Sequence, residues 1–387
     1  MKLKILSLIL FFTTIISLCS CGTASFSGNE YFEPIGKAEW EDAKNFSEGL
    51  AAVKKDGLWG FINENGEIAI KPVFESVWSF SEGLAAVQIN GLWGYIDTNG
   101  KTVIDPIYKS TWGFSEGLAA VQSTELYSYY GYINKNGETV IEPQFTYAKD
   151  FKNGTALVQG GELISTGHKY SFIKADGTVI GNFEWYGAEE FSEGLAEVFM
   201  TYESAFINEN GEYVIDYILD DAKSFSEGLA AYKVDLLWGF LNTKGETVIE
   251  PTFTEVEPFS EGIAVIKNDI LYGFIDKSGN ALTDVKYKYA YSAKSGMARI
   301  GITEMLSVKF GYIDLEGNEA IEPKFADAKD FSEGYAAVRM IKDGPWGLID
   351  KSGNVIIDGV FDKISSVENG YAVYEINGNY GFIKLIK

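Results

Sequence analysis

The chain of 387 residues carries 55 Asp and Glu against 32 Lys and Arg, a formal charge of -23, and so lacks the basic footprint that nucleic acid or an anionic lipid surface requires. Hydrophobic residues at 46%, aromatics at 15% and 42 glycines describe a folded, turn-rich chain and exclude a disordered one. A single ordinary core is unusual at this length, which points to several units.

Met1 to Ser20 has the form of a secretion signal: Lys2 and Lys4 give a basic start, and Ile5 to Leu18 is apolar with only Ser and Thr interruptions. The run is short for a spanning helix. Leu18-Cys19-Ser20-Cys21-Gly22 follows and resembles the bacterial lipoprotein box, with Cys21 as the acceptor; Cys19 fits less well because bulky Leu18 precedes it. The resemblance implies diacylglycerol on the Cys21 sulfur, loss of residues 1–20, and a chain held at a bacterial envelope membrane by its acyl groups. The alternatives are an uncleaved membrane helix or an ordinary signal peptide cut nearby. Both cysteines lie at this point and none follows, so no disulfide framework is expected in an exported protein. Residues 21–37 have no period and are expected to form a tether.

From residue 38 to 387 one unit recurs. Its first copy is FSEGLAAVKKDGLWGFINENGEIAIKP, and the Phe of its opening returns at Phe80, Phe114, Phe151, Phe191, Phe225, Phe259 and Phe331, with degenerate counterparts at Ser292 and Val367. The commonest spacing is 34 residues, so about ten units fill the chain. Leu50–Lys55 and Leu58–Asn63 read as strands about Asp56-Gly57, a type I′ hairpin signal. Asn63-Glu64-Asn65-Gly66 suits a type I turn with a glycine bulge, and a third strand ends at Pro72. Pro72, Pro106, Pro143, Pro251 and Pro323 share this position, which proline restricts to a strand end or sheet edge. The segment after it, such as Val73 to Phe80, can add a short fourth strand.

The expected fold is therefore all-β: a tandem array of about ten three-stranded antiparallel units in an open solenoid or superhelix, slightly favoured over one or two β-propellers. Closed propellers typically have four to eight blades. In the return strand, Gly60 leaves a gap that a neighbouring ring is expected to fill, and the residue before the equivalent glycine is aromatic in eight copies, among them Trp59, Trp93, Trp238 and Trp346. Packing between units is the preferred role of these rings. An exposed ladder for stacking on sugars is the second reading, with Trp59, Trp93, Trp238 and Trp346 as contact residues.

The run Trp-Gly-Phe/Tyr-Ile-Asn/Asp, Gly-Glu-x-x-Ile-x-Pro and FSEGLAAV, in tandem over residues 38–387, resembles the WG-repeat family of bacterial proteins. The resemblance implies tandem β units, frequent on exported or surface proteins, and no common catalytic residues. Two units depart from the pattern: the fourth has Tyr170-Ser171 and an insert from Gly160 to His168, and the fifth reads Ser204-Ala205-Phe206-Ile207.

Catalysis has little to stand on. His168 is the sole histidine, no cysteine follows Cys21, and no phosphate-binding or calcium loop is present. No metal or cofactor is expected. Glu48, Glu82, Glu116, Glu193, Glu227, Glu261 and Glu333 repeat in one turn, which fits a structural position better than weak cation binding or a glycosidase dyad. The expected function is a membrane-anchored, surface-exposed module that binds or scaffolds another protein, with cell-wall or host glycan as the alternative ligand, glycoside hydrolysis as a remote third, and the lipid bilayer met only through the anchor.

Overall fold

The computed structural model describes residues 28–125, 128–160, 169–305 and 307–386. The secretion signal, Cys21 and His168 lie outside them. Every regular element is a β-strand and every pairing is antiparallel.

The first full unit shows the plan. Strands β1 (Phe32–Trp40), β2 (Asp42–Ala43), β3 (Leu50–Lys55), β4 (Leu58–Asn63) and β5 (Ile68–Phe74) come first, and β2 to β5 form one meander. Most units thus hold four strands, the addition being a two-residue strand such as Ser76–Val77 in the segment after the proline, while the unit of Ile263–Asn268 forms a three-stranded sheet. Asp56 and Gly57 have φ of 53° and 79°, the left-handed pair of a type I′ hairpin. Asn63 Oδ1 accepts hydrogen bonds from the amides of Asn65 and Glu67, closing the expected Asx turn. Strand Thr139–Ala148 runs through two units and fuses the third and fourth into one seven-stranded sheet.

The glycine of the return strand has a different partner from the ring expected in its gap. Register slips between Trp59 and Phe61, where β5 bulges. A Cβ on Gly60 would stand 2.5 Å from the Ile70 carbonyl oxygen and 2.5 Å from the Pro72 nitrogen. The glycine is needed because neighbouring backbone crosses directly over it, and Pro72 sits in that bulge on the sheet's edge strand. Gly60→Ala should cost about 1–3 kcal/mol through overpacking, read as a lower urea midpoint. In the fourth unit Ser171 takes this place, and its hydroxyl donates to the Ile180 carbonyl at 2.7 Å.

Each core lies between units. Phe61 meets Phe80 with ring centroids 4.8 Å apart, Tyr95 meets Phe114 at 4.8 Å and Phe240 meets Phe259 at 4.8 Å, so the Phe of one opening packs on the return strand of the unit before. In the eighth unit Ala293 holds that place, one residue beyond the expected Ser292: the Ser260 hydroxyl donates to its carbonyl as Ser47 does to that of Phe80.

An open superhelix would leave the first and last units without neighbours, but here they are neighbours. Phe32 to Ile35 pair with Leu385 to Phe382, so β1 completes the sheet of the last strand, Asn379–Leu385. Residues 32–37, expected in the tether, are the first part of that strand. Ile35, Trp40 and Phe46 share a core with Tyr371, Val373 and Phe382, and Phe46 meets Phe382 at 5.2 Å. The tandem array is therefore joined end to end, as in the propeller alternative.

Candidate functional site

The repeated polar residues hold the units together. Seven opening serines, from Ser47 to Ser332, donate to a carbonyl of the next unit at 2.6–2.8 Å. The seven glutamates of the same turn accept from the amide of the next unit's turn glycine at 2.7–3.0 Å. Glu48 and Gly49 have φ of 53° and 80°, so the turn is a second type I′ hairpin that aims the carboxylate sideways. At the closure, Asn45 donates to Glu368 at 2.8 Å and Asn369 to the Phe46 carbonyl at 3.3 Å. These links bridge unit to unit along the edge of the two-residue strands, which forms one rim of the array.

The Trp of the repeated motif is enclosed. Trp59, Trp238 and Trp346 are 9%, 8% and 8% exposed. Lys44 and Lys54 flank Trp59, Lys223 and Lys233 flank Trp238, and Lys329 and Arg339 flank Trp346, with charge-to-ring distances from 4.3 to 5.9 Å. The rim lysines also donate to the next unit, Lys44 to the Val77 carbonyl at 2.7 Å and Lys329 to that of Ile364 at 2.6 Å.

Trp93 is half-buried, and its surroundings differ. Where Lys44 and Lys54 stand in the first unit, the second has Trp78 and Gln88, and the third has Trp112 and Gln122. Trp78 stacks on Trp93 at 6.5 Å and meets Trp112 at 5.7 Å. Trp78 and Trp112 are 39% and 37% exposed, so an aromatic patch opens on the rim. Beside it Gly113 carries no side chain, and a Cβ there would meet only Ser81, at 3.8 Å. Asp150 occupies the equivalent position in the next unit. Burial first, and then the charge of Glu190, push its carboxyl up to about 6.

Elsewhere the rim is of mixed charge. Glu190 pairs with Lys149 at 3.1 Å, and Arg299 with Asp330 at 2.9 Å. A cavity of about 360 Å³ beside Ala293 is lined by Glu255, Glu257, Tyr272, Tyr291, Lys294 and Asp330, among others. In the irregular fifth unit Ser204 stands in the Trp place and Glu197 in the place of Ala52; the Ser204 hydroxyl donates to the buried Glu197 at 2.8 Å. Among the described residues no three His, Cys, Asp or Glu side chains converge as a metal site requires.

Sequence reading missed Trp78, Trp112 and Asp150 because attention to the repeat favours positions that recur. The signal for the two tryptophans lay in the column two residues before each opening residue, which reads Lys44, Trp78, Trp112, Lys149, Glu189, Lys223, Glu257, Tyr291, Lys329 and Ser365, and Asp150 lies in the column after it.

Solved structures similar to the chain include a eukaryotic initiation factor, at 10% identity over 88% of this chain and 99% of that one, with a TM-score of 0.45. The tricorn protease matches at 9% identity over 90% of this chain and 41% of that one, with a TM-score of 0.25. KlHsv2 with a replaced loop matches at 11% identity over 61% and 92%, with a TM-score of 0.34. No curated protein sequence matches the chain. Nine segments match the WG containing repeat, at 33–59, 59–93, 93–127, 130–162, 205–235, 238–269, 272–302, 310–340 and 346–380. With recurring glutamates, glycines and tryptophans that build its unit-to-unit frame, the chain belongs to the WG containing repeat family.

Proposed function

We propose that the chain is a non-catalytic binding module, carried at a bacterial envelope membrane by lipid on Cys21, that docks another protein on the rim formed by its two-residue strands. The observation behind this reading is a division of labour. The recurring Ser, Glu, Gly, Phe and Trp are engaged in contacts between units, whereas the rim column from Lys44 to Ser365 changes from unit to unit and remains partly open to solvent. A repeat array offers a large fixed surface of this kind. The acidic balance of -23 favours a partner with basic segments.

The test is photo-crosslinking in the native cell envelope, with the reactive residue at Ser79 on the rim or at Asn65 on the turn between β4 and β5. Discrete protein adducts from Ser79, absent from Asn65, are expected. Saturable tryptophan quenching by cell-wall oligosaccharides with no protein adduct from the rim would replace this reading with glycan binding.

A further inference from the structure

We infer that the Trp93, Trp78 and Trp112 patch seats a Lys or Arg side chain from an exposed basic segment of the partner protein, an inference that rests on the protein-docking reading above. The ring itself shows the chemistry. In the first, sixth and ninth units the repeated Trp lies under the chain's own cations, Lys44, Lys223 and Lys329 from the rim. In the second and third units tryptophan replaces that lysine. Among the described residues Lys44 lies 5.2 Å from the Trp78 ring, and no cation of the chain covers Trp93 or Trp112.

Two further features fit a cation. Gly113 leaves open space next to Trp112, and Asp150 stands on the adjoining unit, exposed and with no ion pair among the described residues. The Ser115 hydroxyl, two residues after Gly113, donates to the carbonyl of Phe151, next to Asp150, at 2.7 Å, and the Tyr95 hydroxyl donates to the Trp112 carbonyl at 2.8 Å. The carboxylate and the aromatic patch therefore belong to one neighbourhood. A guanidinium stacked on Trp112 would lie on the unit that adjoins the Asp150 carboxylate. Cation–π contacts with tryptophan are the strongest of their kind, and desolvation strengthens them.

The probe is acetyl-tetraarginine amide, titrated into the full chain in detergent and followed by tryptophan emission, with the tetracitrulline peptide as the neutral isostere. Saturable quenching is expected with arginine and none with citrulline. Trp112→Gln should weaken arginine binding at least threefold, and so should Asp150→Asn. Trp78→Lys and Trp112→Lys restore the residue used at this position by other units, so they should abolish binding without lowering the melting temperature. Glu67→Gln, on the turn between β4 and β5, removes one charge and should change binding less than twofold. Equal loss in Glu67→Gln and Trp112→Gln, or equal quenching by citrulline, would overturn the inference. Protein adducts at Ser79 with a silent arginine probe would sink the cation seat while leaving protein docking in place.

Discussion

A fragment starting at Glu41 is expected to be less stable than one starting at Gly22 by on the order of 6 kcal/mol, because β1 is the strand that joins the last unit to the first. Phe32, Ile35 and Trp40 are 3%, 6% and 4% exposed, and full burial of such side chains is worth roughly 1.5–3 kcal/mol each. The loss reaches further than those contacts. Phe46, Tyr371 and Phe382 would lose their cover, and the edge of the last strand would lie unpaired. Urea unfolding of fragments starting at Gly22 and at Glu41 provides the comparison. Coincident midpoints would show that β1 contributes nothing to the array.

Glu197→Ala is expected to stabilise the protein by about 3 kcal/mol at pH 8 and by nearly nothing at pH 4. Burial chiefly, and the charges of Asp221 and Glu189 in addition, push the Glu197 carboxyl up to about 7 from 4.5, against the lowering effect of the Ser204 hydroxyl. Each pKa unit corresponds to about 1.4 kcal/mol. The sign follows from proton linkage. Below pH 4.5 the carboxyl is protonated in both the folded and unfolded chains, and the buried neutral group costs nothing through ionisation. Between about pH 4.5 and 7 the unfolded chain releases the proton and the folded chain retains it, so stability falls as pH rises. Alanine stands at this position in several other units, as at Ala52, Ala86 and Ala231. Melting temperatures of the two proteins between pH 4 and 8 should diverge with rising pH; parallel curves would mean that Glu197 ionises freely.

Much of the unit was legible because its turn chemistry is local. Asp56-Gly57 and Asn63-Glu64-Asn65-Gly66 specify their backbone conformations whatever lies around them. The edge position of Pro72 was legible for the same reason, since a missing amide hydrogen is a property of one residue. What crosses Gly60 was not, because it depends on how far β5 slips against β4, a matter of packing. The pairing of Phe32 with Leu385 was equally hidden: β1 lies before the first copy of the motif and repeats nothing. At the candidate site, periodicity drew attention to Trp59, Trp238 and Trp346, which are buried for the same reason that they recur. Trp78 and Trp112 mattered through their difference from Lys44 at the same column, and that difference acquires meaning only once the rim is known to be where the column lies.

The two ends of the array meet across β1 and the last strand, and a disulfide measures that meeting directly. Glu33 and Lys384 are register partners across β1 and the last strand, and no native cysteine lies beyond Cys21. The fragment from Gly22 carrying Glu33→Cys and Lys384→Cys is oxidised and its species are separated by mass and by non-reducing gel mobility. A ring predicts a monomer with one intramolecular disulfide, formed before unfolding and lost on reduction. Free thiols in the folded monomer, with cross-links only between chains, would contradict the closure and return the molecule to an array with separate ends.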